Sequence, residues 1–227
     1  MNVHDRPSPR PSPASGRGSY AVKECFLTLQ GEGVQAGSRA VFLRFAGCNL
    51  WSGREQDRAT AECRFCDTDF VGTDGEGGGK FAGPDTLAAH VEALWGGGAE
   101  RRLVVITGGE PMLQLDEGLI EALHARGFRV AVETNGTLPA AAGIDWICVS
   151  PKAGTDVVQR TGNELKLVWP QEGIDPAQLE EWAFDHFLVQ PMDCDDLAAS
   201  IDAAIKLAME RPKWRLSLQA HKVVGLS

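Results

Sequence analysis

Four apolar residues in a row, Leu103-Val104-Val105-Ile106, run directly into Thr107-Gly108-Gly109-Glu110-Pro111. No other segment limits the fold so strongly. A strand with one wet face alternates apolar and polar residues, whereas an unbroken apolar run suits a strand covered on both faces, the usual state in a parallel sheet. Similar strand-like runs occur at Val22–Leu29, Ala40–Ala46, Phe128–Glu133, Trp146–Ser150, Glu164–Val168, Phe187–Gln190 and Arg215–Gln219. Helix-like runs at Pro84–Trp95, Leu113–Arg126, Pro176–Trp182 and Asp195–Glu210 fall among them. This alternation predicts right-handed βαβ units. The chain has 227 residues, fewer than the about 250 typical of a complete eight-unit barrel. The expected fold is therefore α/β, an incomplete, open TIM-like barrel.

Residues 1–19 are rich in Pro, Ser, Arg and Gly and lack a hydrophobic period, so they are read as a disordered leader or artificial extension. Residues 20–227 are expected to form a single domain, since 43% hydrophobic content fills one sizeable core. Gly72–Gly83 reads as a flexible loop. A net charge of −9 argues against a general nucleic-acid surface, which needs clustered Lys and Arg. No apolar run approaches the roughly 20 residues of a membrane span, and no secretory h-region is present. A cytoplasmic protein without nucleic-acid or membrane partners is expected.

Parallel barrels build their active sites at the C-terminal ends of the strands, and here those ends are polar. Beside Thr107-Gly108-Gly109-Glu110-Pro111 stand Glu133-Thr134-Asn135-Gly136, Ser150-Pro151-Lys152 and Gln190-Pro191-Met192-Asp193. Paired glycines let backbone approach a ligand closely, and the Glu110 carboxylate can accept hydrogen bonds from an ammonium group. Any one of these ends could be turn chemistry, with Asn-Gly a plain turn signal. Four in succession point to a ligand site.

Of the six cysteines, Cys48, Cys63 and Cys66 fall within nineteen residues, with fourteen residues between the first two and two between the last two. Cys25 and Cys148 sit in apolar runs and read as small buried hydrophobes, and Cys194 lies among acidic neighbours. In a reducing compartment clustered cysteines suggest metal or catalysis more than disulfides. Structural zinc normally takes four Cys or His ligands, and no fourth is evident nearby. A cubane cluster held by three thiolates keeps one iron open for a substrate. Spacing alone leaves both readings standing. Arg44, inside the apolar run before Cys48, needs an anionic partner, either in a structural ion pair or as a clamp on a substrate carboxylate.

The aromatic residue before the last cysteine in Cys63-Arg64-Phe65-Cys66-Asp67-Thr68, together with Gly108-Gly109-Glu110-Pro111, resembles the radical S-adenosylmethionine superfamily. Adding Gln30-Gly31-Glu32-Gly33, Arg44, Ser150-Pro151-Lys152 and Gln190-Pro191-Met192-Asp193, the chain from about Lys23 onward resembles the 7-carboxy-7-deazaguanine synthase family. That resemblance implies the radical S-adenosylmethionine type of open barrel, with an insertion in the cluster loop. It implies a [4Fe–4S] cluster on Cys48, Cys63 and Cys66, S-adenosylmethionine, and Mg²⁺ on Thr68. The activity implied is conversion of 6-carboxy-5,6,7,8-tetrahydropterin to 7-carboxy-7-deazaguanine with loss of ammonia, a carbon–nitrogen lyase step in 7-deazapurine (queuosine) biosynthesis. Substrate contacts carry over to Leu29, Gln30, Gly31, Glu32, Arg44, Thr107, His221 and the terminal carboxylate of Ser227. Cofactor contacts carry over to Phe65, Cys66, Asp67, Gly109, Glu110, Asn135, Ser150, Pro151, Lys152, Gln190, Pro191, Met192 and Asp193. Glu133 is the implied acid/base, and the implied partners are the pterin, a reductant such as a flavodoxin, and a second copy in a homodimer. Two other readings stay open: a radical activase for a glycyl-radical protein, and a non-enzymatic zinc or iron–sulfur module.

Overall fold

The computed structural model describes residues 18–226. Ser227 and most of the expected leader, residues 1–17, lie outside the described residues. The chain opens with β1 (Tyr20–Leu29) and β2 (Arg39–Phe45), which pair antiparallel. Their connection, residues 30–38, is too short for the crossover that parallel pairing demands. The sheet therefore starts with a hairpin, in contrast to the parallel strands that the sequence pattern suggests.

Gly72–Gly83, read above as flexible, contains β3 (Gly79–Phe81), which pairs with the first residues of β1. Cys25 N donates to Glu76 O at 2.7 Å, and Gly75 N donates to Lys23 O at 2.9 Å. A Cβ on Gly77 would stand 2.1 Å from Cys25 O, and one on Gly78 would stand 2.2 Å from Lys23 O. These glycines allow backbone to lie against backbone, a different use of the same residue type.

The chain continues through α1 (Pro84–Trp95), β4 (Leu103–Gly108), a 3₁₀ turn at Pro111–Leu113, α2 (Glu117–His124), β5 (Arg129–Thr134) and β6 (Trp146–Val149). Then follow β7 (Thr161–Trp169), α3 (Pro176–Leu179), β8 (Ala183–Pro191), α4 (Leu197–Glu210), β9 (Trp214–Leu216) and α5 (Ala220–Val224). The helix expected over Leu113–Arg126 is split. Asp116 caps α2 by accepting from Leu119 N at 3.0 Å, so the helix proper begins after it. Asp196 caps α4 in the same way, two residues inside the expected start. One sheet results, in the order β3-β1-β2-β4-β5-β6-β7-β8-β9, parallel from β2 onward. The linear order leaves β3 and β9 at free edges, so the barrel is open.

Side chains alternate between the two faces of each strand. Val41, Leu43, Val104, Ile106, Val130 and Val132 pack outward against Leu87 and Val91 of α1 and Leu119 and Leu123 of α2. Leu165, Leu167 and Val189 join Ala204 and Leu207 of α4 in a second core. The inner positions behave differently. Ala40, Leu103, Val105 and Ala131 form a small apolar plug with Phe42 and Trp146. One pleat further along β2, β4 and β5, the inward residues become Arg44, Thr107 and Glu133, all of which line a cavity. The plug closes one end of the barrel and leaves a polar mouth at the other. No helix among the described residues is long and apolar enough to cross a membrane.

Candidate active site

The polar mouth is a cavity of about 460 Å³, within the size range of small-molecule sites. Of the residues expected to meet a substrate, Leu29, Gln30, Gly31, Glu32 and Arg44 reach it from β1, β2 and their connection. Thr107 and His221 of that group line it too, as does Glu133, the implied acid/base, whereas Ser227 lies outside the described residues. The cluster loop contributes Cys63, Phe65, Cys66, Asp67 and Thr68. The strand ends contribute Gly109, Asn135, Ser150 and Lys152, and the end of β8 with the two residues after it contributes Gln190, Pro191, Met192 and Asp193. Cys48, Glu110 and Pro151 do not line the cavity.

Glu110 is fully buried. Its carboxylate accepts from Thr134 Oγ1 at 2.7 Å, Asn135 N at 2.8 Å and Met112 N at 2.9 Å. It therefore ties the end of β4 to the end of β5 and shapes the wall from behind. Burial pushes its carboxyl above the usual range, opposed by those three donors and by Lys152. Arg44 Nε donates to Glu24 Oε1 at 2.7 Å across the β1–β2 register, so a structural ion pair exists. It occupies only Nε, and neither Nη nitrogen bonds a described residue. Pair and clamp are compatible.

The thiols fit an iron–sulfur cluster in chemistry. A hydrogen bond from Cys63 pulls the Cys66 thiol down to about 6, against burial and with help from the Thr68 backbone and Lys152. The Cys63 thiol is raised in turn. Among the described residues, no three His, Cys, Asp or Glu side chains close around a single ion. Tetrahedral zinc needs such closure, whereas the thiolates of a cubane each hold a different iron. Gly109 lies directly against Cys48 and Gly47, so the end of β4 abuts the cluster loop.

Several cavity residues lack a signal in the sequence. Lys166 sits within the apolar strand Leu165-Lys166-Leu167, yet its Nζ bonds Glu32 Oε2 at 2.6 Å and Glu133 Oε2 at 2.8 Å. Gln219 Nε2 reaches Glu32 Oε1 at 2.9 Å. Lys222 on α5 bridges Asp67 at 2.8 Å and Asp193 at 2.5 Å, two residues reserved above for the cofactor. Helix α5 is docked by Ala220 N donating to Gly31 O at 2.9 Å. A Cβ on Gly31 would stand 2.1 Å from His221 Nδ1, so that glycine makes room for the imidazole.

Burial opposes ionisation of Glu32, but Lys166, Gln219 and Gln190 outweigh it and hold the carboxyl at about 2. A carboxyl depressed on folding stabilises above its unfolded value of 4.5, and that contribution is lost as pH falls toward about 2. It amounts to on the order of 3 kcal/mol. Glu32→Gln should therefore lower stability at neutral pH and lose that difference near pH 2, as read by denaturant unfolding at several pH values.

An open barrel with three cysteines beside glycine-rich strand ends defines a class, that of the radical S-adenosylmethionine enzymes. A family model described as "Radical SAM superfamily" matches residues 56–167. Proteins named 7-carboxy-7-deazaguanine synthase match nearly the whole chain. The one from Caulobacter vibrioides is 64% identical, covering 92% of this chain and 99% of its own. That from Bordetella pertussis is 60% identical over the same shares, and that from Synechocystis sp. is 31% identical, covering 92% and 94%. A crystal structure of QueE from Escherichia coli superposes with a TM-score of 0.66 at 26% identity, covering 89% of this chain and 95% of that one. The chain belongs to the 7-carboxy-7-deazaguanine synthase family of radical S-adenosylmethionine enzymes, with the iron–sulfur cluster and S-adenosylmethionine that this superfamily uses. The activase and the non-enzymatic module are thereby disfavoured.

Proposed function

We propose that the chain converts 6-carboxy-5,6,7,8-tetrahydropterin to 7-carboxy-7-deazaguanine with release of ammonia, as a carbon–nitrogen lyase of 7-deazapurine biosynthesis. The observation that carries this reading is a single cavity that gathers Gln30, Arg44, Thr107 and Glu133 with Cys63, Cys66, Gly109 and Gln190. Cys48, Cys63 and Cys66 hold the cluster, and Gly109, Ser150, Lys152, Gln190 and Asp193 hold S-adenosylmethionine. When bound, these groups supply the one-electron chemistry that starts a radical ring contraction. The protein's own share is orientation and the exclusion of water. Arg44 forks the substrate carboxylate through its free Nη pair, a geometry suited to a planar anion. Glu133 holds or moves a proton at its carboxylate, and Thr68 would be the protein ligand for Mg²⁺, an ion that commonly keeps few protein contacts. A flavodoxin-type reductant, a homodimeric state and the cytoplasm complete the proposal.

Anaerobic reconstitution followed by assay with the carboxypterin and a reductant tests it. The product should form with ammonia, and an enzyme that cleaves S-adenosylmethionine without consuming the pterin would refute it. Arg44→Ala should raise the pterin KM about 10- to 100-fold, the loss of one charge-assisted contact of about 1.5–3 kcal/mol, while cluster content stays at the wild-type level.

A further inference from the structure

Lys166, between the outward-packed Leu165 and Leu167 of β7, lines the cavity with only 5% of its side chain exposed. Its Nζ shares two carboxylates, Glu32 and Glu133, whose side chains are 18% and 20% exposed. The other oxygen of each is also engaged: Glu32 Oε1 by Gln219, and Glu133 Oε1 by Gln30 Nε2 at 3.4 Å. Four chain segments, separated by up to 187 positions, meet in this network. A buried ion pair is poor stability material, because apolar residues of similar volume usually serve as well. Its presence on the wall of a cavity calls for a role in what that cavity binds.

We propose that Lys166 is a positioning residue for the ring contraction, keeping Glu32 ionised and fixing both Glu32 and Glu133 in orientation toward the substrate. The proposal rests on the synthase reading given above. Two carboxylates brought close together repel, and a cation between them favours the ionised form. The surroundings supply no substitute. On β6, Cys148 is a fully buried thiol pushed well above its ordinary value by burial, and so it is neutral. On β7, Glu164 adds a third carboxyl, raised chiefly by burial and bound to Val34 N at 2.9 Å and to the Trp146 indole. On β8, Gln190 is uncharged. Beyond β6, Lys152 bonds Ser150 at 2.7 Å and lies toward the cysteines. Among the described residues, Lys166 alone bridges the pair.

The test uses Lys166→Met, Lys166→Arg and the double variant Glu32→Gln with Lys166→Met. Carboxyl protonation is read by isotope-edited infrared titration of the full-length, cluster-free protein labelled in glutamate. The pH profile of kcat/KM is read on the reconstituted enzyme. In Lys166→Met the infrared titration of the carboxyl pair and the acid limb should both move up by about 1–3 pH units. The direction follows from the charge: removing the cation raises the carboxyl, so activity that needs the carboxylate is lost at a higher pH. Lys166→Arg should restore the profile, and the double variant should return the limb toward wild type, since the like charge is gone. Should Lys166→Met fail to fold, Lys166→Gln takes its place in the same comparisons. An unshifted limb with an unchanged carboxyl titration, no rescue by Arg, or a double variant no better than Lys166→Met would overturn the proposal. A wild-type enzyme inactive on the pterin, with the infrared result intact, would refute the synthase reading alone.

Discussion

Gly109→Ala is expected to yield a folded protein that, after reconstitution, lacks most of its iron and has lost at least about 100-fold in turnover. The added Cβ would lie 2.4 Å from Gly47 O, 2.5 Å from Cys48 Cβ and 2.8 Å from Gly47 C. Two of those three atoms are backbone, so no side chain can swing aside. Glu110 N donates to Gly47 O at 3.0 Å and pins the same point, and Gly47 already holds a φ of 93°. The relief has to come from the loop itself, which carries Cys48. Overpacking of this kind costs about 1–3 kcal/mol, which a typical domain tolerates. Displacing a cluster ligand by a fraction of an ångström is less forgiving, since a misplacement of about 1 Å can cost 10²-fold in rate. Gly97→Ala is the control, because nothing lies within 4 Å of its Cβ position. Iron analysis, thermal unfolding and turnover on both variants decide the matter. Full iron with normal turnover in Gly109→Ala would show that the loop can move without consequence.

The contrast between Gly109 and Gly77 shows where sequence reading stops. Gly109 follows an apolar run and sits in a four-residue motif, so its role at a strand end was legible. Gly77 lies in an unpatterned polar stretch and looks like loop, because its partner, the Cys25 carbonyl, is fifty-two positions upstream. The same limit hid Lys166. Its neighbours Leu165 and Leu167 face the outer core, which makes the strand read as apolar throughout, and its two partners lie 33 and 134 positions away. Local features were easier: the apolar strand runs depend on residues close in sequence. Helix α5 has five residues, too few to display a helical period, although His221 within it was read as a site residue. Period and motif carry information over one element, whereas a cavity is made by elements that meet only after folding.

Glu110→Ala is expected to be the most destabilising single change at the site. It strips three donors, Thr134 Oγ1, Asn135 N and Met112 N, of their buried acceptor. An unsatisfied buried donor costs about 1–3 kcal/mol. Partial relaxation brings the sum to about 3–5 kcal/mol, against total stabilities of about 5–15 kcal/mol for such domains. The damage would also reach the cluster loop. Asn135 Nδ2 donates to Asn49 Oδ1 at 3.0 Å, next to Cys48, so a loosened β5 end loosens that loop as well. Glu110→Gln separates shape from charge. The amide keeps one acceptor oxygen and the side-chain volume, and should cost about 1–2 kcal/mol. Its pH dependence has a definite sign. Because burial raises the Glu110 carboxyl on folding, its contribution is largest below the unfolded value of 4.5 and declines as pH rises through the folded one. The uncharged glutamine carries no such decline. Denaturant unfolding of the two cluster-free proteins should therefore show the Glu110→Gln deficit shrinking as pH rises above 4.5, and a deficit that grows instead would mean the carboxylate is better solvated in the fold than its burial implies.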